Sequence, residues 1–122
     1  MKVIRLQTAF LVSADMDAQS RFYEQALGLK LKFRDGDRWA QYDANGTSIA
    51  LASREEAHPA TQGAVLVFEV ENFDGVAEHI ERHGGLCLGV RDMGSHGAVL
   101  SAKDPNGNIV QFFCRAGTEP TR

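Results

Sequence analysis

Several absences narrow the field before any motif is read. No apolar run approaches the ~20 residues that a membrane-spanning helix needs; the longest clear one, Ala64–Phe68, is strand-sized. No stripe of Lys and Arg exists, and the net charge is −3, so nucleic acid and anionic membranes are not expected partners. The opening "MKVIRLQTAF" lacks the apolar core and small-residue cleavage site of a signal peptide. Cysteine is scarce. Cys87 and Cys114 are far apart and form no CxxC, which fits reduced thiols in a cytoplasmic protein. Both thiols lie on strands among apolar neighbours with no obvious basic partner, so both are expected to be structural. There is no phosphate-binding loop and no Ser-His-Asp order. The acids of "DGDR" sit in a hairpin turn, where solvation is expected.

What is present is a soluble composition, 43% hydrophobic and 24% charged, over 122 residues, enough for one domain with one core. Within it, one pattern is written twice. Residues 1–13 read as a strand. Asp15 can cap a helix whose apolar face carries Ala18, Phe22, Ala26 and Leu27, with Gly28 as its stop. Strands "LKLKFR", "DRWAQYD" and "TSIALA" follow, separated by turns at Asp35-Gly36 and Asn45-Gly46. Residues 54–62, polar and aperiodic, read as a linker. Then "AVLVFEV" is a strand, and Asn72 can cap a helix that buries Phe73, Val76, Ala77 and Ile80 and stops at Gly84-Gly85. "LCLGVR", "GAVLSAKD" and "NIVQFFC" are strands again.

The register of the repeat can be measured. Asp43–Leu51 and Asp104–Phe112 share Asp, Asn and Gly at an offset of 61, and the caps Asp15 and Asn72 are 57 apart. The expected fold is α+β: two β-α-β-β-β modules that pair into a curved eight-stranded sheet, helices outside and a concave cup inside. Module one is 1–53, the linker 54–62, module two 63–115 and a loose tail 116–122. Each module alone is too small to bury much surface.

Two segments carry a resemblance. "FYEQALGLKL" (Phe22–Leu31) resembles the first-helix motif of the vicinal oxygen chelate superfamily, which includes glyoxalase I, extradiol dioxygenases and fosfomycin- and bleomycin-resistance proteins. "DPNGNIVQFF" (Asp104–Phe113) resembles its last hairpin, where the strand usually carries a Glu. The resemblance spans nearly the whole chain and specifies the fold better than the reaction.

Metal-dependent members take ligands from the first and last strand of each module, chiefly His and Glu. The resemblance places these positions at Thr8, Ala50, Val65 (or Ala64) and Gln111. Thr, Ala, Val and Gln do not make a metal site. The neighbours Gln7, Ala9, Ile49, Leu51, Ala64, Leu66, Val110 and Phe112 add no His, Asp or Glu. No metal and no other cofactor is therefore expected. His79 and His83 are four apart, as zinc ligands can be, but they are expected on the solvated face of an outer helix. His58 falls in the linker.

Strand alternation and the resemblance set the expected cup lining. Thr8, Phe10 and Val12 face in; so do Val99, Ser101, Gln111 and Phe113, with Ala50 and Val65. The module offset adds Arg38 and Ala40. Trp39 then has the opposite parity and faces outward or a dimer interface, though it is kept as a contact. His96, on the approach to the seventh strand, is either a ligand contact, a general base or a loop histidine. A mostly apolar cup with few polar points suits a small-molecule pocket; the same residues could also simply fill it.

The resemblance and the missing ligands together imply a metal-free binding protein of the bleomycin-resistance type, a homodimer that sequesters a small aromatic or cationic compound. Two alternatives stand beside it. One is a superfamily enzyme (lyase, dioxygenase or thiol transferase), metal-dependent or using His96 or Arg38. The other is a non-catalytic dimerisation or regulatory module.

Overall fold

The computed structural model describes residues 2, 4–60 and 63–117. The chain divides into two compact units, residues 1–63 and 64–122. Each contains one four-stranded sheet, so the fold is α+β, with the order β-α-β-β-β repeated.

Module one comprises β1 (Ala9–Val12), α1 (Met16–Arg21), β2 (Lys30–Asp35), β3 (Trp39–Asp43) and β4 (Ser48–Ala52). Its sheet order is β1-β4-β3-β2, with β1 parallel to β4 and the other pairs antiparallel. The first strand is shorter than its apolar pattern suggests. Ala9 pairs with Ile49, and β4 begins at Ser48, so residues 4–7 run past the start of their neighbour; Met1 and Val3 lie outside the described residues.

Asp15 caps α1 as expected, its Oδ1 accepting from the Ala18 N–H at 3.1 Å. The helix then widens into a π-helical turn, Phe22–Ala26. The wider turn changes which side chains go inward. Adjacent Phe22 and Tyr23 are both fully buried, in edge-to-face contact at 5.2 Å, while Ala18, Ala26 and Leu27 are only half-buried. The expected 3.6-residue face thus holds for Phe22 and misses Tyr23.

Module two comprises β5 (Leu66–Glu69), α2 (Val76–Arg82), β6 (Leu86–Asp92), β7 (Ala98–Lys103) and β8 (Ile109–Cys114), in sheet order β5-β8-β7-β6. Its helix buries Phe73 and Ile80, with Val76 and Ala77 half-buried. Asn72 does not cap it. The Asn72 Oδ1 accepts from the Asp74 N–H at 2.9 Å and closes a turn, and Gly75 is the residue that precedes the helix. A short polar side chain satisfies the nearest free N–H first. His79 and His83 are half-buried rather than solvated, their rings 4.6 Å apart, with the His83 Nδ1 2.9 Å from the His79 carbonyl oxygen.

The expected linker is partly structured. Arg54–Glu56 form a 3₁₀ turn, Glu56 pairs with Arg38 at 3.0 Å, and Ala57 is buried. Gln62 and residues 118–122 of the expected tail lie outside the described residues. Both cysteines are free; Cys114 is buried and donates to the Glu71 carbonyl at 3.3 Å, and Cys87 is half-buried. Among the described residues no helix is long and apolar enough to cross a membrane.

The repeat extends to irregularities. Both β2 and β6 carry a bulge against the next strand, between Leu31 and Phe33 and between Cys87 and Gly89. The last turns differ, however. Asp43 pairs with Ser48, whereas Lys103 pairs with Ile109, so the second turn is one residue longer.

Candidate functional site

Each sheet has one face under its own helix and one face away from it, called here the open face. In module one the faces are fixed by Tyr42. It is fully buried and donates from Oη to Glu24 Oε2 of the π-helical turn at 2.9 Å. Burial pushes its hydroxyl pKa up to about 12, and Glu24 adds to the effect. Ala40, two residues back, shares that helix-side face and is fully buried. Trp39 and Gln41 therefore lie on the open face.

This reverses part of the expected lining. Trp39 packs against Phe10, ring centroids 5.5 Å apart, and its indole N–H donates to Gln41 Oε1 at 3.1 Å. Phe10 is in register with Ala50, and Ala50 pairs with Gln41. Arg38 is exposed and held by Glu56, and Ala40 faces the helix. The reason is the shorter turn. An offset of 61 holds after the turn, linking Ala50 to Gln111, but before it the offset falls to 60 and links Gln41 to Ser101. Applying 61 to both sides moves every β3 side chain to the wrong face. The misplaced residues include Gln41, which sequence reasoning missed altogether. Counting the turn residues "DANGT" against "DPNGN" gives no warning, because the motifs align without a gap.

In module two the expected residues do come together on one face. Ser101 pairs with Gln111 and Val99 with Phe113. Gln111 Nε2 donates to Ser101 Oγ at 3.1 Å. Val67 is in register with Gln111, and exposed Val65 shares its parity one residue before the strand begins. Thr8 stands in the same relation to Phe10 and Ala50, one residue before β1. The edges of this face are apolar: Val67 and Leu88 are each about half exposed, on opposite edge strands. Phe113 is half-buried with its ring against Gly97, where an added Cβ would lie 2.8 Å from the ring and collide with the Cys114 carbonyl oxygen. The positive φ of Gly97, +91°, also excludes other residues.

His96 is exposed, at the end of a 3₁₀ turn (Gly94–His96) that leads into β7. Beside that turn is a shallow depression of about 250 Å³ bordered by Asp92, Gly94, Gly97, Ala98 and Arg115. Arg115 is paired with Glu69 at 2.8 Å.

A divalent ion does not fit the four family positions. Ala50 and Val65 carry no donor atom in their side chains, Thr8 offers a neutral hydroxyl, and Gln111 offers only a neutral amide oxygen. Among the described residues no group of three or more His, Cys, Asp or Glu is placed to hold a metal.

Residues 5–112 match the Glyoxalase/Bleomycin resistance protein/Dioxygenase superfamily. An uncharacterised protein of Mycolicibacterium smegmatis is 31% identical over 103 residues, 84% of this chain and 87% of that one. Among solved structures, a glyoxalase-related enzyme from Fulvimarina pelagi superposes with a TM-score of 0.78 at 19% identity, over 93% of this chain and 89% of that one. Lactoylglutathione lyase from Agrobacterium tumefaciens gives 0.77 at 16% identity, covering 93% and 95%. Likeness at such identity speaks for the fold.

Proposed function

The chain belongs to the Glyoxalase/Bleomycin resistance protein/Dioxygenase superfamily, and from that premise we propose that it is a metal-free member which binds a small molecule on its open sheet faces. One observation carries the reading. The positions that the resemblance gives for the ion in metal-dependent relatives are Thr8, Ala50, Val65 and Gln111 here, and none of the four is a His or a carboxylate. Flat apolar surface beside a few aimed polar groups is what a small-molecule site needs. Phe10 and Trp39 supply that surface in module one, and Val99 and Phe113 in module two. Binding without turnover, as in sequestration, fits these mostly apolar faces. The protein works as a homodimer in the cytoplasm in this reading.

The rival is a metal-dependent enzyme, favoured by the superposition on a lactoylglutathione lyase. Metal content separates the two. The protein is stripped, then given Mn, Fe(II), Co, Ni or Zn, and its melting temperature and retained ion are measured. No retained ion and no shift are expected. Stoichiometric retention with a clear upward shift would overturn the metal-free reading. A broad ligand screen by melting shift then tests binding itself, and a screen without a single hit would sink it.

A further inference from the structure

Strands β2 and β6 hold corresponding outer places in the two sheets, yet their edges are defended differently. Each lies last in its sheet order, and each carries a bulge against its neighbour. Each also shows two exposed apolar side chains: Leu31 at 38% and Phe33 at 51% on β2, Leu86 at 51% and Leu88 at 49% on β6. An outer edge offers backbone N–H and C=O groups to any strand that comes near, and charged side chains, lysine above all, keep such strands off. On β2 the apolar residues alternate with Lys30, Lys32 and Arg34, so a second β2 laid along it would set cations against cations. On β6, residues 86–90 carry no charge. Its two charges, Arg91 and Asp92, are adjacent and opposite in sign, so two copies of the strand meet without net repulsion. The Cys87 N–H reaches the carboxylate of exposed Glu81 at 3.4 Å, beyond the ~2.7–3.2 Å of a good N–H···O bond, so this cover is easily displaced. The other outer strands, β1 and β5, have only four residues each, and a short edge is itself a defence.

We propose that β6 is an interface strand whose partner is the β6 of a second copy of this chain, antiparallel to it and extending the sheet across a two-fold axis. A strand paired antiparallel with itself is two-fold by construction and consumes the exposed edge of both copies. The occupant follows from the charge pattern: a neutral apolar edge suits itself, whereas an ionic partner strand would find no counter-charge along residues 86–90. The inference rests on the homodimer of the reading above and names its interface. Seven residues of edge make a small interface, so the dimer is expected to depend on concentration.

The test is mass against concentration by sedimentation, with backbone hydrogen exchange beside it. The protein is expected to pass from monomer to dimer. On association the β6 amides that point away from β7 should slow, and those of β2 should not. Leu88→Lys puts an ammonium on each of two facing strands at an exposed site. It should raise the dissociation constant roughly tenfold or more and leave the melting temperature of the monomer unchanged. Phe33→Lys, the same change at similar exposure on β2, should leave the dimer intact. A dimer that ignores Leu88→Lys, or that protects β2 in place of β6, would overturn the interface and leave the homodimer standing. A monomer at every concentration would overturn both. Outward β6 amides already slow in the monomer would mean that the chain covers this edge itself, and would overturn the interface as well. Small-molecule binding is decided separately by the metal and ligand screens.

Discussion

The two modules share topology, bulge and turn motif, yet differ at three places that matter. Under its helix, module one buries Tyr42 where module two has the corresponding Ala102. In its last turn, module one is one residue shorter. On its open face, module one carries Trp39, Gln41 and Lys32, where module two carries a neutral Gln111–Ser101 pair between apolar edges. A duplicated fold keeps its ladder pattern because backbone pairing demands it. The face away from the helix is freer to change, and there the copies have diverged.

The comparison can be broken most sharply at the approach to the third strand of each module. Gly97→Ala drives a Cβ into the Cys114 carbonyl oxygen and the Phe113 ring at φ +91°; a loss of about 3 kcal/mol or more is expected in urea unfolding. Gly36→Ala, at φ +52° with nothing within 4 Å, should cost about 1 kcal/mol, from backbone conformation alone.

The last turns come next. Asp104 is 3% exposed and accepts from the N–H groups of Asn106 and Asn108, each at 2.9 Å, and from Asn108 Nδ2 at 3.0 Å. Asp104→Ala should cost about 2–3 kcal/mol, because it removes three hydrogen bonds to a charged, buried acceptor. Asp43→Ala, which loses one 3.2 Å bond at a half-buried site, should cost less than about 1 kcal/mol. Equal losses would mean that the longer turn does not depend on its carboxylate.

Tyr42 distinguishes the modules by pH. Its folded pKa is raised to about 12, above the ordinary tyrosine value near 10. Its contribution is fully present below pH ~10 and is lost as the pH rises from ~10 to ~12, since the unfolded chain ionises first. Tyrosinate absorbance should show a late-titrating group that Tyr42→Phe removes. Tyr42→Phe should remove that part of the alkaline instability at a cost of about 1 kcal/mol near neutrality. A late titration left unchanged by the substitution would place the effect elsewhere.

The smallest effect is expected at Arg38. Its exposed pair with Glu56 is worth ~0–1 kcal/mol, so Arg38→Ala should barely move the melting temperature and leave ligand response at Trp39 unchanged. A loss of ligand response would restore Arg38 to the binding face.

Much of the fold was legible. Strand alternation gave Val99, Ser101, Gln111 and Phe113 one face, and Asp15 before an amphipathic stretch read as a cap. Asn45, at φ +58°, and the glycine after it form the turn their residue types announce. What failed was local in cause. A π-helical turn buried Tyr23 against the 3.6-residue pattern, and Asn72 closed a turn instead of a helix. The parity of β3 was lost over one residue of turn length that no motif reveals.

The sequence by itself determined the repeat and the family, since these depend on residue identity at positions the motifs fix. Only the tertiary structure decided which β3 side chains share a face with Phe10, because a strand's facing depends on the hydrogen-bonded register of its partner. With that register came the Trp39–Gln41 hydrogen bond of the open face: a hydrogen bond's direction exists only once both of its ends are placed.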